Sequence, residues 1–167
     1  MPLIKQGAVV GDPWLSLADD DPLPASGAVI VSLERWKAER EALIARGGRL
    51  GVRLASHQAA SEVADDLAHL SLIALAFPTF KDGRAYSTAR LLRERYGYTG
   101  ELRAVGQVLR DQFLFMVRCG VDAFEVADQK EADAWNKAMG AFSVWYQSAA
   151  DDRPRAARLR RLARAAE

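Results

Sequence analysis

Between Phe77 and Asp122 the chain carries seven arginines, three of its four tyrosines and its only cysteine within forty-six residues. An arginine offers a planar fork of donors that matches the oxygens of a carboxylate, sulfate or phosphate, so this density points to an anion site or an acidic partner. The run Phe77-Pro78-Thr79-Phe80-Lys81-Asp82-Gly83-Arg84-Ala85-Tyr86-Ser87 contains a proline that cannot continue a strand ladder and an Asp-Gly turn pair. A bend there exposes Lys81, Arg84, Tyr86 and Ser87 beside a helix start, whose free N–H groups favour a bound anion. The competing reading makes Asp82 the cap of that helix and leaves Arg84 solvated. Arg103 lies inside the apolar run 101–106, where a covered sheet would bury it; it then needs a carboxylate from Asp82, Glu101, Asp111 or Asp122, or else it contacts a ligand. Arg110, Asp111 and Gln112 follow that run and face the same rim, with capping as the alternative role for Asp111. The candidate ligand-binding set is therefore Lys81, Asp82, Arg84, Tyr86, Ser87, Arg103, Arg110, Asp111 and Gln112. Arg84, Arg103 and Arg110 are expected to converge on one rim, and no residue is assigned a catalytic role.

Other chemistry finds less support. Cys119 precedes Gly120 at an expected helix end, where backbone charge disfavours a thiolate, and one cysteine cannot form an internal disulfide. A Cys119→Ser variant is expected to keep its function. His57 falls in a polar loop and His69 on a helix, which suits a solvated and a structural histidine. The turn after the first strand of the main repeat lacks glycine, so no dinucleotide fingerprint is present, and neither GxxxxGK[ST] nor a Cys/His cluster of metal-ligand spacing occurs. No cofactor and no metal are expected.

The elements that must hold these residues follow from apolar periodicity. Two short runs, 3–10 and 13–17, flank Gly11-Asp12-Pro13, which reads as the turn of a small hairpin, and Asp19-Asp20-Asp21-Pro22-Leu23-Pro24 reads as a stiff spacer. Apolar runs of strand length then begin at Ala28, Leu50, Ser71, Glu101 and Asp122, followed by helical patterns over 34–48, 61–69, 86–96, 109–118 and 131–146. Alternation of this kind predicts an α/β fold with a parallel sheet. The expected form is a five-stranded, mostly parallel, flavodoxin-like sheet with helices on both faces; the alternative is a half-barrel-like βα array. Residues 1–26 form the hairpin and spacer, 27–150 the α/β domain and 151–167 a basic tail. In either form a ligand meets the carboxyl ends of the strands.

Half of the 167 residues are apolar and 27% are charged, which suits one globular domain. The net charge of +1 divides unevenly. Residues 153–167 carry six arginines against Glu167, giving +5, and the remainder sums to −4. A nucleic-acid-binding core is not expected. The tail reads as a solvated terminus or as a docking element for an acidic partner. Neither a signal segment nor a membrane-length apolar run is visible, so a cytoplasmic protein without a membrane role is expected, with homo-oligomerisation open.

The segment 119–135 resembles the last strand and helix of a response-regulator receiver domain, but Phe77-Pro78 ends the third strand without a phosphoryl-accepting aspartate, so that likeness concerns fold. A longer set is more specific: Phe77-Pro78-x-Phe80-x-Asp82-Gly83-Arg84-x-Tyr86-Ser87-x-Ala89-Arg90, Gly97-Tyr98-x-Gly100-Glu101-Leu102-Arg103-Ala104-x-Gly106-x-Val108, Asp111-Gln112 and Arg118-Cys119-Gly120-x-Asp122. It resembles a bacterial family of unknown function whose members are often labelled oxidoreductases involved in sulfite reduction and are encoded near assimilatory sulfite and phosphoadenylylsulfate reductases. The resemblance implies a role in sulfate assimilation with sulfite reductase or related proteins as partners. An oxidoreductase would need a flavin or nicotinamide fingerprint, a cysteine pair or an iron–sulfur ligand set, none of which the sequence carries. The expectation is thus an accessory protein that binds sulfite reductase or aids its electron or cofactor supply. The alternative is an enzyme or ligand-binding module acting on a sulfur oxyanion or a phosphorylated small molecule.

Overall fold

The computed structural model describes residues 1–128, 135, 137–138, 144–147, 149–150 and 155–165. Five apolar runs form parallel strands: β4 (Ala28–Ser32), β5 (Leu50–Leu54), β6 (Leu72–Phe77), β7 (Glu101–Gly106) and β8 (Ala123–Glu125). Three short N-terminal strands, β1 (Leu3–Lys5), β2 (Ala8–Val10) and β3 (Trp14–Ser16), complete one eight-stranded sheet of order β2-β1-β8-β7-β6-β5-β4-β3. Strands β3 to β8 run parallel and in sequential order, while β1 pairs antiparallel with β8 and β2.

This order replaces the flavodoxin-like expectation with the half-barrel alternative. A flavodoxin-like sheet reverses direction after its first strand; here every crossover steps the same way. Right-handed crossovers that all advance in one direction put every helix on one face. The packing agrees. Val31, Val52, Leu75 and Ala104 share a core with Trp36, Ala89, Leu92 and Met116 from the helices, whereas Ile30, Leu72 and Ala74, pointing the other way, cluster with Trp14 and with no helical residue.

The N-terminal hairpin is real, but its turn is Gln6-Gly7, where both residues have positive φ (49° and 79°), as a two-residue turn between twisted strands requires. Gly11-Asp12-Pro13 does something else: it carries the chain from β2, at one edge of the sheet, to β3, at the other. Seven interstrand spacings of about 4.8 Å would hold the edges of a flat sheet about 34 Å apart. Four Cα steps from Val10 to Trp14 reach about 15 Å at most. The sheet therefore has to curl, and residues 11–13 span its concave side.

That concave face is tight. A Cβ on Gly51 would lie 3.1 Å from Leu72 and 3.2 Å from Ile30, its neighbours in register. Arg103, two strands further along, is fully buried there. Its guanidinium donates to both carboxylate oxygens of Asp12 (2.7 and 3.1 Å), to Glu101 (2.8 Å) and to Glu125 (3.4 Å), and Glu101 also accepts from Lys5. Only Glu101 is among the partners that sequence proximity offers; Asp12 comes from the crossing segment.

The helical layer begins with α1 (Leu33–Ala45), capped by the Ser32 hydroxyl accepting from the Arg35 amide at 3.0 Å. Residues Ala60–His69 wind as 3-10 turns in place of the expected α-helix. α2 (Arg84–Glu94) follows β6, and Arg110–Gln112 makes a 3-10 turn before α3 (Phe113–Arg118). The helix expected over 131–146 lies largely outside the described residues. Trp135, which is described, is fully buried, with its ring centroid 4.4 Å from that of Phe113 and 5.3 Å from that of Phe124. A helix also forms at Ala156–Ala165, with Leu159 and Leu162 exposed.

Replacing Arg103 leaves three carboxylates facing one lysine, so Arg103→Met is expected to destabilise by about 3–5 kcal/mol in urea denaturation. Asp12→Ala leaves Arg103 with Glu101 and acts at a partly solvated carboxylate, so about 1–3 kcal/mol is expected. Burial pushes the Asp12 pKa up, but the hydrogen bonds from Arg103 and the Trp14 amide push it further down, to a folded value below 3.8. A depressed carboxylate pKa contributes stability above its unfolded value and loses it as pH falls through the folded one. The gap between parent and Asp12→Asn should accordingly be full at neutral pH and close below pH 3.8.

Candidate functional site

The loop after β6 bends at Pro78, and Gln107, in the loop after β7, holds it by accepting from the Phe80 amide. A turn closes with the Asp82 amide donating to the Thr79 carbonyl at 3.1 Å. The Asp82 carboxylate then accepts from the Arg84 side chain (2.7 and 3.0 Å) and from the Arg84 amide (3.3 Å), so it pairs with the first residue of α2 while Gly83 occupies the cap position. Arg84 also donates to the Ser56 hydroxyl at 3.1 Å, tying this turn to the end of β5. The Arg84 and Ser56 bonds hold the Asp82 carboxyl well below the usual carboxylate range, and Asp82 in turn raises the Arg84 pKa. Lys81, Ser87 and Arg110 are exposed nearby.

The three arginines expected to converge do not share a cavity. Arg84 is neutralised at the rim by Asp82, Arg103 lies inside the concave face, and Arg110 sits on the 3-10 turn. A groove of about 590 Å³ instead opens between α2 and α3. One wall is Tyr86 and Arg90, one turn apart on α2, with Phe80 above them. The opposite wall repeats at helical spacing, with Asp111 and Gln112, then Phe115, then Arg118 and Cys119; Gln147 and Ala149 close one end. Of the sequence candidates, Tyr86, Asp111 and Gln112 line this groove, while Lys81, Asp82, Arg84, Ser87, Arg103 and Arg110 do not. Phe80, Arg90, Phe115 and Arg118 were not among the candidates, although the i,i+4 step from Tyr86 to Arg90 was available as a signal.

Its chemistry is mixed. Phe80 and Phe115 are 54% and 66% exposed, high for phenylalanine. Tyr86 packs edge-on against Phe77 with centroids 5.2 Å apart, and burial raises its pKa. The Gln112 amide donates to the Phe80 carbonyl at 3.4 Å, while its buried Oε1 meets no donor among the described residues. Arg90 bonds Glu94 at 2.9 Å on the open helix surface. Arg118 donates to the Gln147 carbonyl at 2.7 Å and lies 4.2 Å over the Trp145 ring. Cys119 caps α3, with Gly120 behind it at φ 94°.

One further arginine, absent from the sequence candidates, sets the spacing of the two walls. Arg93, in the last turn of α2, donates to the Gly120 carbonyl just past α3 (3.0 Å), to the Tyr98 and Gly100 carbonyls, and to Asp122 (2.7 Å). Asp122 also accepts from the Leu102 amide at 3.0 Å, and burial raises its pKa despite Arg93. A Cβ on Gly120 would fall 2.4 Å from the Arg93 side chain. Gly100, Asp122 and Gly120 thus position α2 and α3 and shape the groove from behind.

Arg93→Ala strips partners from three backbone carbonyls and a carboxylate; about 2–4 kcal/mol of destabilisation is expected in thermal or urea unfolding. At Cys119, burial raises the thiol pKa above 9.0, against the lowering effect of Arg90 and Arg118. Alkylation by iodoacetamide should be slow at neutral pH and still accelerate above pH 9.0, where an ordinary exposed thiol levels off.

Among the described residues, no helix is long and apolar enough to cross a membrane, and no group of three or more His, Cys, Asp and Glu could hold a metal ion. No curated protein matches the chain. A family model does match, over residues 51–156, which takes in β5 to β8, both walls of the groove and the Arg93 clamp. The chain belongs to DUF934, a family of bacterial proteins of unknown function.

Proposed function

We propose that this protein is an accessory component of bacterial assimilatory sulfite reduction, binding sulfite reductase or aiding its electron or cofactor supply through the groove between α2 and α3. The observation that carries the reading is how the residues of the sulfite-reduction resemblance divide. One set, including Gly100, Arg103, Gly120 and Asp122, builds the scaffold. The other, Phe80, Tyr86, Arg90, Asp111, Gln112, Arg118 and Cys119, lines the groove.

Exposed aromatic rings beside arginines are the composition that protein interfaces favour at their energetic centres. A second reading, a module that binds a small phosphorylated or sulfur-containing molecule, is favoured by the groove volume, which falls within the range of about 300–1,000 Å³ usual for ligand sites. The cytoplasm is the compartment both readings imply.

Deletion of the gene should slow growth with sulfate or sulfite as sole sulfur source and leave growth on cysteine unchanged, and the tagged protein at native abundance should co-purify with sulfite reductase. A Cys119→Ser strain should grow as the parent does. Recovery of the protein alone, together with intact sulfite reduction in the deletion strain, would remove the proposal.

A further inference from the structure

We infer that the groove between α2 and α3 is a seat for a mononucleotide-like ligand, a flat aromatic base joined through a sugar to a phosphate or sulfate. This deepens the second reading above and rests on it.

Each part of such a ligand has a counterpart on the walls. Phe80 and Phe115 expose their rings at the groove, and a base stacked on an aromatic face gains about 1–3 kcal/mol. The Gln112 Oε1 is buried without a donor among the described residues, and its orientation is fixed because the amide nitrogen points at the Phe80 carbonyl. Turning the amide over would set two carbonyl oxygens against each other. That oxygen lies beneath the groove surface, so Gln112 holds the Phe80 loop rather than meeting a ligand. Asp111, an exposed carboxylate on the same wall, can accept from sugar hydroxyls.

Arg90 supplies the cation for the anionic end. Its bond to Glu94 is an exposed i,i+4 pair, with the side chains 54% and 43% exposed, and pairs of this kind contribute little. Redirecting the guanidinium from Glu94 to a ligand phosphate therefore costs little and gains a charge-assisted bidentate contact. Arg118, on the facing helix, stays tied to Gln147 and Trp145 and adds positive potential at the same end. A bare oxyanion would use the arginines alone and leave the rings unused; an apolar side chain would leave the cations without an anion.

Cys119 on the groove wall gives a readout that needs no assumed activity. The full chain is alkylated with iodoacetamide in the presence of 5′-AMP, adenosine or inorganic phosphate at equal concentration, and the same ligands are titrated by saturation-transfer NMR. AMP should slow alkylation, adenosine should slow it less, and phosphate should have no effect. Phe115→Ala should weaken AMP and adenosine alike by about tenfold, and Arg90→Ala should weaken AMP while leaving adenosine unchanged. Both side chains are exposed, so both variants should melt with the parent. The inference is overturned if millimolar AMP gives no protection, if phosphate protects as well as AMP does, or if neither variant weakens AMP. Loss of the nucleotide result with co-purification intact would remove this inference and leave the accessory reading standing. Nucleotide binding with a silent deletion strain would do the reverse.

Discussion

A single guanidinium buried on the inner side of the sheet organises this protein. Arg103 stands mid-strand in β7, fully buried, and among the described residues no helix covers its face. An isolated charge there would cost several kcal/mol. The chain neutralises it with Glu101 on the same strand, Glu125 on β8, and Asp12 from the three residues that cross between the sheet edges. The crossing is too short to span a flat eight-stranded sheet, so the ion pair and the curl depend on each other. Weak pairing of three-residue edge strands would otherwise leave the N-terminal segment poorly held.

A second arginine does the corresponding work on the outer side. Arg93 joins the end of α2 to the loop before β7 and to the residues between α3 and β8. It fixes two helices that touch the sheet through separate strands, and the space left between them is the groove. Solvation separates these two arginines from the groove arginines. Arg93 and Arg103 each make four hydrogen bonds to protein oxygens in partly or fully dry surroundings, whereas Arg90 stays on the surface in an exchangeable pair. A guanidinium of the first kind cannot be offered to a ligand without stripping several carbonyls and carboxylates of their donor; one of the second kind can. The separation also explains why arginine density alone does not tell which arginines line the groove.

The five parallel strands from β4 to β8 were legible because each is a short apolar run bounded by turn residues. Their order was not, since the direction of a crossover depends on which sheet edge is free, and no local pattern encodes that. Gly11-Asp12-Pro13 has the composition of a hairpin turn, and Gln6-Gly7 is the weaker signal because glutamine seldom takes positive φ. The partner of Arg103 was hidden by its 91-residue separation from Asp12. In the groove, Tyr86, Asp111 and Gln112 were visible as polar residues following strands. Phe115 was not, because an exposed phenylalanine on an apolar helix looks the same in sequence as a buried one, and Phe113, two positions away, is in fact core.

The Arg103 cluster holds the curled sheet together through the crossing segment. Residue-resolved amide hydrogen exchange on Arg103→Met beside the parent tests this. The expected result is loss of protection in β3 and in the β1–β2 hairpin that residues 11–13 join to it, with β5 and β6 retaining theirs. Unchanged protection at those edges, or a uniform loss across all strands, would contradict it.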